Sequence, residues 1–236
     1  MANKFISQFS IPENLRLVLD GGVANKALDA RINSVIALRE KHGGLWRQKN
    51  IFLPSWIARF LAFNREKPFN ENLKAIRLNL GFLSRFLKAR PLELGKGFEL
   101  APAVLLHPES PVFLAVNKAG QRIASIGGSL LRENGRLVLR INNVQGVWGQ
   151  RPALEELTNL AGVNWRVFLA NKVLDYARQK GLKVTGVKPE RFSVMMAGEH
   201  KRLLRQYTQT YRKAGLQENS GVFVKDFPAK KRLLRK

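Results

Sequence analysis

The stretch RLVLRINNVQGVWGQRPALEELTNL, residues 136–160, decides the fold because a strand, a turn and a helix follow one another in it. Apolar side chains alternate with others along 137–141, which is the period of a β-strand. Gly146 and Gly149 mark a turn, and Pro152 suits the first turn of a helix. The stretch therefore predicts a strand that passes through a glycine-containing turn into a helix, and it raises the question of whether that turn binds an anion.

The residues before this stretch predict two further strands. VFLAVN (112–117) and RIASIGGSLL (122–131) precede the strand 136–147, and short turn sequences separate the three. Asn134-Gly135 favours a tight hairpin because both turn positions need a positive φ. The three segments together predict an antiparallel meander.

The residues after it alternate between helical and strand patterns. Helices are predicted at 152–162 and 164–181, a strand at 182–189, a helix at 198–215 and a strand at 221–227. Gly181 ends the second of these helices.

The first ninety residues are helical in pattern, with helices predicted at 24–44, 54–64 and 70–91. The chain as a whole therefore predicts an α+β fold in three parts. Residues 1–95 form a basic helical segment, 96–227 a mixed sheet flanked by helices, and 228–236 a basic tail.

The charge balance restricts the partners. The chain has 41 Lys and Arg against 17 Asp and Glu, a formal net charge of +24 and a pI near 11.1. Such a protein attracts polyanions, because each neutralised phosphate releases condensed counterions. RNA, DNA and an anionic membrane surface all fit, and a basic surface that only keeps the protein in solution is the remaining alternative.

Several chemistries are excluded by composition. The chain has no cysteine, and His42, His107 and His200 stand far apart, so we expect no metal site. The N-terminal residues have no long apolar core, and the apolar stretch 51–63 is too short to span a bilayer. We therefore expect a cytoplasmic protein.

Basic residues near aromatic or amphipathic segments are the candidates for nucleic-acid contact. They lie in the N-terminal segment and in the tail, although aromatic residues are more often part of a core. The candidates are Arg47, Lys49, Arg59, Lys74, Arg77, Arg85, Lys88, Lys230, Lys231, Arg232 and Arg235.

Residues 98–227 resemble the GNAT N-acetyltransferase fold. WRVFLANKVLDYARQKGLKVTGV (165–187) is similar to the central helix and following strand of that family, and LLRQYTQTYRKAGLQENSGVFV (203–224) to its late helix and closing strand. The family pattern of a tyrosine four residues before a glycine is matched by Tyr211 and Gly215. The fingerprint [Q/R]-x-x-G-x-[G/A] is not matched, because Trp148 stands at its first glycine when the count begins at Gln145.

The resemblance implies acetyl-CoA or another acyl-CoA as cofactor. The residues that would bind its phosphates are Gln145, Gly146, Val147, Gly149, Gln150 and Arg151. Tyr211 would act as general acid toward the leaving thiolate, and Asn142 and Asn143 would hold a water near the acceptor amine. The alternatives are that Tyr211 packs beside Tyr207 and that the two asparagines satisfy a strand end or bulge.

A second resemblance is to the VirK/YbjX family of bacteria. LGKGFELA (94–101), INNVQG (141–146), LEELTNL (154–160) and the KKR run of the tail carry it. That family implies an acyltransferase-like fold and favours an envelope location.

Three functions stay open from the sequence. The first is an acyl-CoA-dependent N-acyltransferase, active or degenerate, that acts on or binds a polyanion, with RNA or a ribonucleoprotein favoured. The second is a non-catalytic nucleic-acid-binding protein on the same scaffold. The third is a peripheral protein on anionic membrane, which would use the segments 51–67 and 70–91.

Overall fold

The computed structural model describes residues 68–86, 89–107, 110–187 and 200–228. Eight isolated N-terminal positions are also described, and all eight are helical: Ala30, Arg31, Asn33, Ser34, Ala37, Ile57, Phe60 and Leu61. They fall in the predicted helices 24–44 and 54–64, whose other residues lie outside the described part of the chain.

An eight-stranded sheet forms the centre of the described structure. Its order is β1-β2-β3-β4-β5-β6-β8-β7, and β5–β6 is the parallel pair among otherwise antiparallel described pairs. The strands are β1 Leu92–Gly95, β2 Phe98–His107, β3 Ser110–Lys118, β4 Gln121–Glu133, β5 Arg136–Gly146, β6 Lys183–Gly186, β7 Gln217–Asn219 and β8 Val222–Lys225.

Four helices complete the described architecture: α1 Phe69–Phe86, α2 Arg151–Ala161, α3 Trp165–Lys180 and α4 His200–Lys213. The side-chain oxygen of Asn164 accepts a hydrogen bond from the Arg166 N–H at 3.0 Å and so caps the start of α3. Gly162 and Gly181 end α2 and α3 in left-handed conformations.

The α+β class predicted from the sequence is confirmed, and so is the meander, which corresponds to β3, β4 and β5. The strands β1, β2 and β7 were not predicted. β1 begins at Leu92, inside the segment predicted to be helical, and the helix predicted at 70–91 ends at Phe86.

One face of the sheet is apolar and carries the helices. Ile141 of β5 shares this face with its partners Gly128 on β4 and Gly186 on β6, because directly paired residues project to the same side. Phe82 of α1 and Val173 of α3 line a small apolar cavity of about 40 Å³ against this face.

The other two helices contact the same face. A Cβ added at Gly146 would come within 2.9 Å of Leu154 in α2, and one added at Gly186 within 2.8 Å of the Tyr211 ring in α4. All four described helices therefore pack against one side of the sheet, and the aromatic and aliphatic residues of α4 and β8 belong to the same core.

Candidate functional site

The parallel strands β5 and β6 separate at their carboxyl ends. Their pairing ends at Ile141 and Gly186, followed by a bond from the Val187 N–H to the Ile141 carbonyl at 3.1 Å. β5 continues to Gly146, so its edge beyond Ile141 has no paired residue in β6. In open α/β sheets, ligands bind in the crevice outside the carboxyl ends of the strands. This opening is the candidate site.

Two tyrosines of α4, one helical turn apart, occupy the opening. The Tyr207 hydroxyl accepts a hydrogen bond from the Val144 N–H at 2.9 Å, and the Tyr211 hydroxyl donates to the Val187 carbonyl at 3.4 Å. Their rings meet edge to face with centroids 5.9 Å apart. Each hydroxyl therefore binds the backbone of one of the two diverging chain segments.

Tyr211 combines a packing role with a titratable group. Its side chain is 0% exposed, and its ring also contacts Phe223 at a centroid distance of 5.3 Å. Burial raises the pKa of its hydroxyl well above 10.0, and neighbouring Tyr207 raises the pKa further. The hydroxyl therefore keeps its proton at neutral pH.

The turn after β5 presents backbone donors. The Val147 N–H bonds to the Ile123 carbonyl at 2.8 Å, and the Gln150 N–H bonds to the Val147 carbonyl at 3.2 Å. The N–H groups that donate to no described residue follow at the tip of the turn and in the first turn of α2: Trp148, Gly149, Arg151 and Ala153. Gln150 precedes α2 without capping it through its side chain, and Gly149 has φ 77. Such a cluster of donors at a helix start suits a phosphate-like anion.

Trp148 does not cover this turn. Its side chain is 99% exposed, so it packs against no part of the donor cluster. Arg151 is also exposed and forms an ion pair with Glu155 at 2.8 Å. The tryptophan that breaks the sequence fingerprint thus leaves the turn accessible.

Asn142 and Asn143 lie inside the protein at a β-bulge. The register between β4 and β5 shifts at Gly127 and Gly128, so that Asn143 pairs with Gly127 and Asn142 is the extra residue. The Asn142 amide donates to the Ser129 hydroxyl at 3.3 Å. Both asparagines lie close to the opening.

The predicted nucleic-acid residues are only partly described. Lys74 and Arg77 are exposed on α1 and line a cleft of about 1010 Å³ between this helix and the β4–β5 hairpin. Arg132 also lies there, together with the acidic residues Glu71 and Glu133. Arg85 lies in the last turn of α1. The remaining candidates fall outside the described residues: Arg47, Lys49, Arg59, Lys88, Lys230, Lys231, Arg232 and Arg235.

The structure shows a basic face on α4 that the sequence analysis did not predict. Its exposed residues follow helical spacing and are Arg202, Arg205, Gln209, Arg212 and Lys213. The signal in the sequence is that residues 200–213 contain no Asp or Glu. Arg166 stands near the start of this face with its guanidinium 4.2 Å above the Trp165 ring, and burial lowers its pKa, with a further decrease caused by Arg202.

The comparisons with known proteins found no matching family model and no similar curated protein. In the described part of the chain, no group of three or more His, Asp or Glu residues is arranged to hold a metal ion. Among the described helices, none has the length and apolar character needed to cross a membrane.

Proposed function

We propose that this chain is a GNAT-like acyltransferase, or a catalytically degenerate relative, that binds acyl-CoA at the opening between β5 and β6. The observation that carries the proposal is the separation of this parallel pair directly beside a turn rich in free backbone donors. Two independent features of ligand sites, a strand opening and a helix start, thus occur together.

The turn fits the phosphates of such a cofactor. Four backbone N–H groups at residues 148–153 are available, and the first turn of α2 has no acidic residue that would repel an anion. The positive end of the α2 dipole adds to the attraction. The exposed Trp148 leaves room for a phosphate to approach the backbone closely.

The residues at the opening supply proton transfer and positioning. Bound acyl-CoA would provide an activated thioester. Tyr211 is protonated at neutral pH, as an ordinary tyrosine is, and burial raises its pKa further. Its hydroxyl lies at Val187, where the strands have separated. Asn142 and Asn143 provide amides beside the opening for the acceptor or a water.

A polyanionic partner is the second candidate function, and the basic face of α4 favours it. Its arginines and lysine are exposed, and the helix itself contains no acidic residue, although Arg212 forms an ion pair with Glu218 of β7 at 3.0 Å. Nucleic acid presents the repeated negative charge that such a surface binds. We favour RNA over DNA as the partner. A non-catalytic nucleic-acid-binding protein on this scaffold would need only this surface.

Calorimetry with acetyl-CoA tests the proposed function. Nuclease-treated protein is titrated with acetyl-CoA in enough salt to suppress nonspecific anion binding, with CoA and inorganic phosphate as competitors. We expect saturable binding that CoA competes and phosphate does not. No heat from folded protein would refute cofactor binding and leave the polyanion function.

Tyr211→Phe tests the proposed proton donor. We expect this variant to lose acyl transfer while retaining acetyl-CoA binding, and to lose little stability because the hydrogen bond it removes is long, 3.4 Å. Tyr176→Phe is the matched control, since Tyr176 lies at the apolar cavity and not at the opening. Equal transfer rates in the two variants would exclude Tyr211 as the acid.

A further inference from the structure

The sheet face opposite the four helices α1 to α4 carries a layer of buried polar side chains. We call it the polar layer, and its members are Ser125, Ser129, Asn142, Asn143 and Thr185. Each is less than 7% exposed. Buried side chains at the centre of a sheet are normally apolar, so this layer needs an explanation.

The strand register places these residues on one face. Ser125 and Ser129 flank Gly127 at two-residue spacing, and Asn143 pairs with Gly127, so all three project to the same side. Asn142 reaches this side as well, because its amide bonds to Ser129. Thr185 also projects to this side, because Thr185 and Ser129 both pair with Arg140.

Asn143 and Thr185 of the layer have polar atoms that bond to no described residue. Asn143 is 4% exposed, and neither its amide nitrogen nor its amide oxygen bonds to any described residue. Thr185 is 5% exposed, and its hydroxyl also bonds to no described residue. Buried polar groups are hydrogen-bonded in nearly all proteins, so unsatisfied ones indicate a ligand or water that satisfies them.

The layer reaches the surface at the proposed cofactor turn. Gln145 pairs with Ser125 on the same face and is exposed, whereas Asn143, two residues earlier, is buried. Gln145 is also next to Gly146, where the turn begins. A ligand that enters beside Gln145 therefore reaches Ser125 and then Asn143.

The chemistry of the layer selects an uncharged hydrogen-bonding group. Its members are all neutral. Of the described charged residues near it on this face, Arg140 forms an ion pair with Glu133 at 3.1 Å, and Lys183, two residues before Thr185, adds a positive charge. Among the described residues, none offers a buried ammonium a free carboxylate there. Burial favours the uncharged form of an amine, and an amide can accept from its N–H while a hydroxyl or amide N–H donates to its lone pair.

We propose that the polar layer is the binding site for a primary amine in its uncharged form, held by Asn143 and Thr185. The inference rests on the proposed function, for which this amine is the acyl acceptor. It gives the site a way to hold a nucleophilic amine without a carboxylate base, because the site itself disfavours the protonated form.

Substitutions that remove the unsatisfied groups test the layer without any ligand. We expect Asn143→Leu and Thr185→Val each to raise the melting temperature, because each removes a buried polar group without a partner. Each kcal/mol gained in the free energy of unfolding should raise the melting temperature by about 2–4 °C. Asn142→Leu is the matched control, because it has the same substitution and burial but loses the bond to Ser129, and it should lower the melting temperature. A lower melting temperature for Asn143→Leu would show that this amide is already satisfied, and would overturn the proposal.

A pair of small amines tests the ligand class. At pH 7.5, 2,2,2-trifluoroethylamine is mostly uncharged and ethylamine is mostly charged, and the two have similar shape. We expect the first to raise the melting temperature of the wild type but not of Asn143→Leu, and the second to raise neither. No shift with trifluoroethylamine, or an equal shift with both, would contradict the proposal.

These measurements contain no acyl-CoA, so the two proposals fail separately. If acetyl-CoA gives no heat but trifluoroethylamine binds through Asn143, the acyltransferase function is wrong and the amine site stands. If acetyl-CoA binds and the amine does not, the acceptor site must lie elsewhere.

Discussion

At the scale of single residues, Tyr211 shows how closely α4 approaches the sheet. Its ring lies where a Cβ on Gly186 would be, at 2.8 Å, so a glycine is required in β6 at the last paired position. The ring is enclosed by Tyr207 and Phe223, and its hydroxyl has the Val187 carbonyl as acceptor. The enclosure that packs the ring is the same one that raises the pKa of its hydroxyl.

The raised pKa predicts a loss of stability at alkaline pH. Above pH 10 the unfolded chain releases the Tyr211 proton while the folded protein keeps it, so the unfolded state binds fewer protons. The contribution of the Tyr211 hydroxyl to the free energy of unfolding is therefore fully present below about pH 10. Above that pH it decreases, with a limiting slope of about 1.4 kcal/mol per pH unit. Urea denaturation of wild type and Tyr211→Phe from neutral to alkaline pH measures it. We expect a shallower decrease for the variant, and parallel curves would contradict the assignment.

At the scale of elements, a side chain of α1 bonds to the edge of β4 beyond the point where its pairing with β3 stops. The β3–β4 pairing ends at Val112 and Gly128, but β4 continues to Glu133. The Asn79 amide replaces the missing strand, because it donates to the Leu130 carbonyl at 2.8 Å and accepts from the Leu130 N–H at 2.7 Å. Asn79 thus fixes α1 to β4 by two backbone bonds.

Asn79→Leu should therefore destabilise the protein strongly. The substitution leaves a buried N–H and a buried carbonyl of Leu130 without partners, which costs roughly 2–4 kcal/mol. Asn70→Leu is the control with the same chemical change at an exposed position of α1, and it should change the free energy of unfolding little. Equal effects in urea denaturation would mean that the two bonds contribute nothing beyond side-chain burial.

Weak turn signals account for only part of what the sequence missed, because Ala119-Gly120 also has positive φ at both positions and joins the predicted β3 and β4. Asn134-Gly135 has positive φ at both positions, as its sequence indicates, and Lys96-Gly97 and Ser220-Gly221 have the same geometry with less typical first residues. The hairpins at these two weaker signals contain the missed strands β1, β2 and β7. β2 also contains Pro102, which argues against a strand from sequence alone, whereas in the fold Pro102 pairs with Leu114.

The candidate site was predictable in part. The turn, Tyr211 and the two asparagines follow from residue types and order, but the face on which Asn143 lies does not. Simple alternation places Asn143 with Leu139 and Ile141 on the apolar side, and the bulge at Asn142 moves it to the polar side. Only the pairing of β4 with β5 reveals that shift, so the polar layer could not be derived from the sequence.

At the scale of the whole molecule, positive charge is spread unevenly over the described surface. Lys74 and Arg77 lie at the cleft beside α1, whereas Arg202 and Arg205 lie on the exposed face of α4. Arg136 lies elsewhere on the sheet, where it forms an ion pair with Asp226 at 2.9 Å. A polyanion should therefore contact particular faces and not the net charge of +24 as a whole.

The salt dependence of RNA binding tests this view. Each phosphate contact on a single strand contributes about 0.7 to the slope of log affinity against log salt, so Arg202→Gln with Arg205→Gln should reduce the slope by about 1.4. The control combines Arg136→Gln with Arg178→Gln, which removes the same charge from two exposed arginines outside α4. Anisotropy of a labelled single-stranded RNA over a range of salt concentrations gives both slopes. Equal reductions in the two double variants would mean that the attraction is diffuse. A reduction confined to Arg202→Gln with Arg205→Gln would identify α4 as the contact surface. Sedimentation with anionic vesicles would then show whether lipid competes with RNA for that surface.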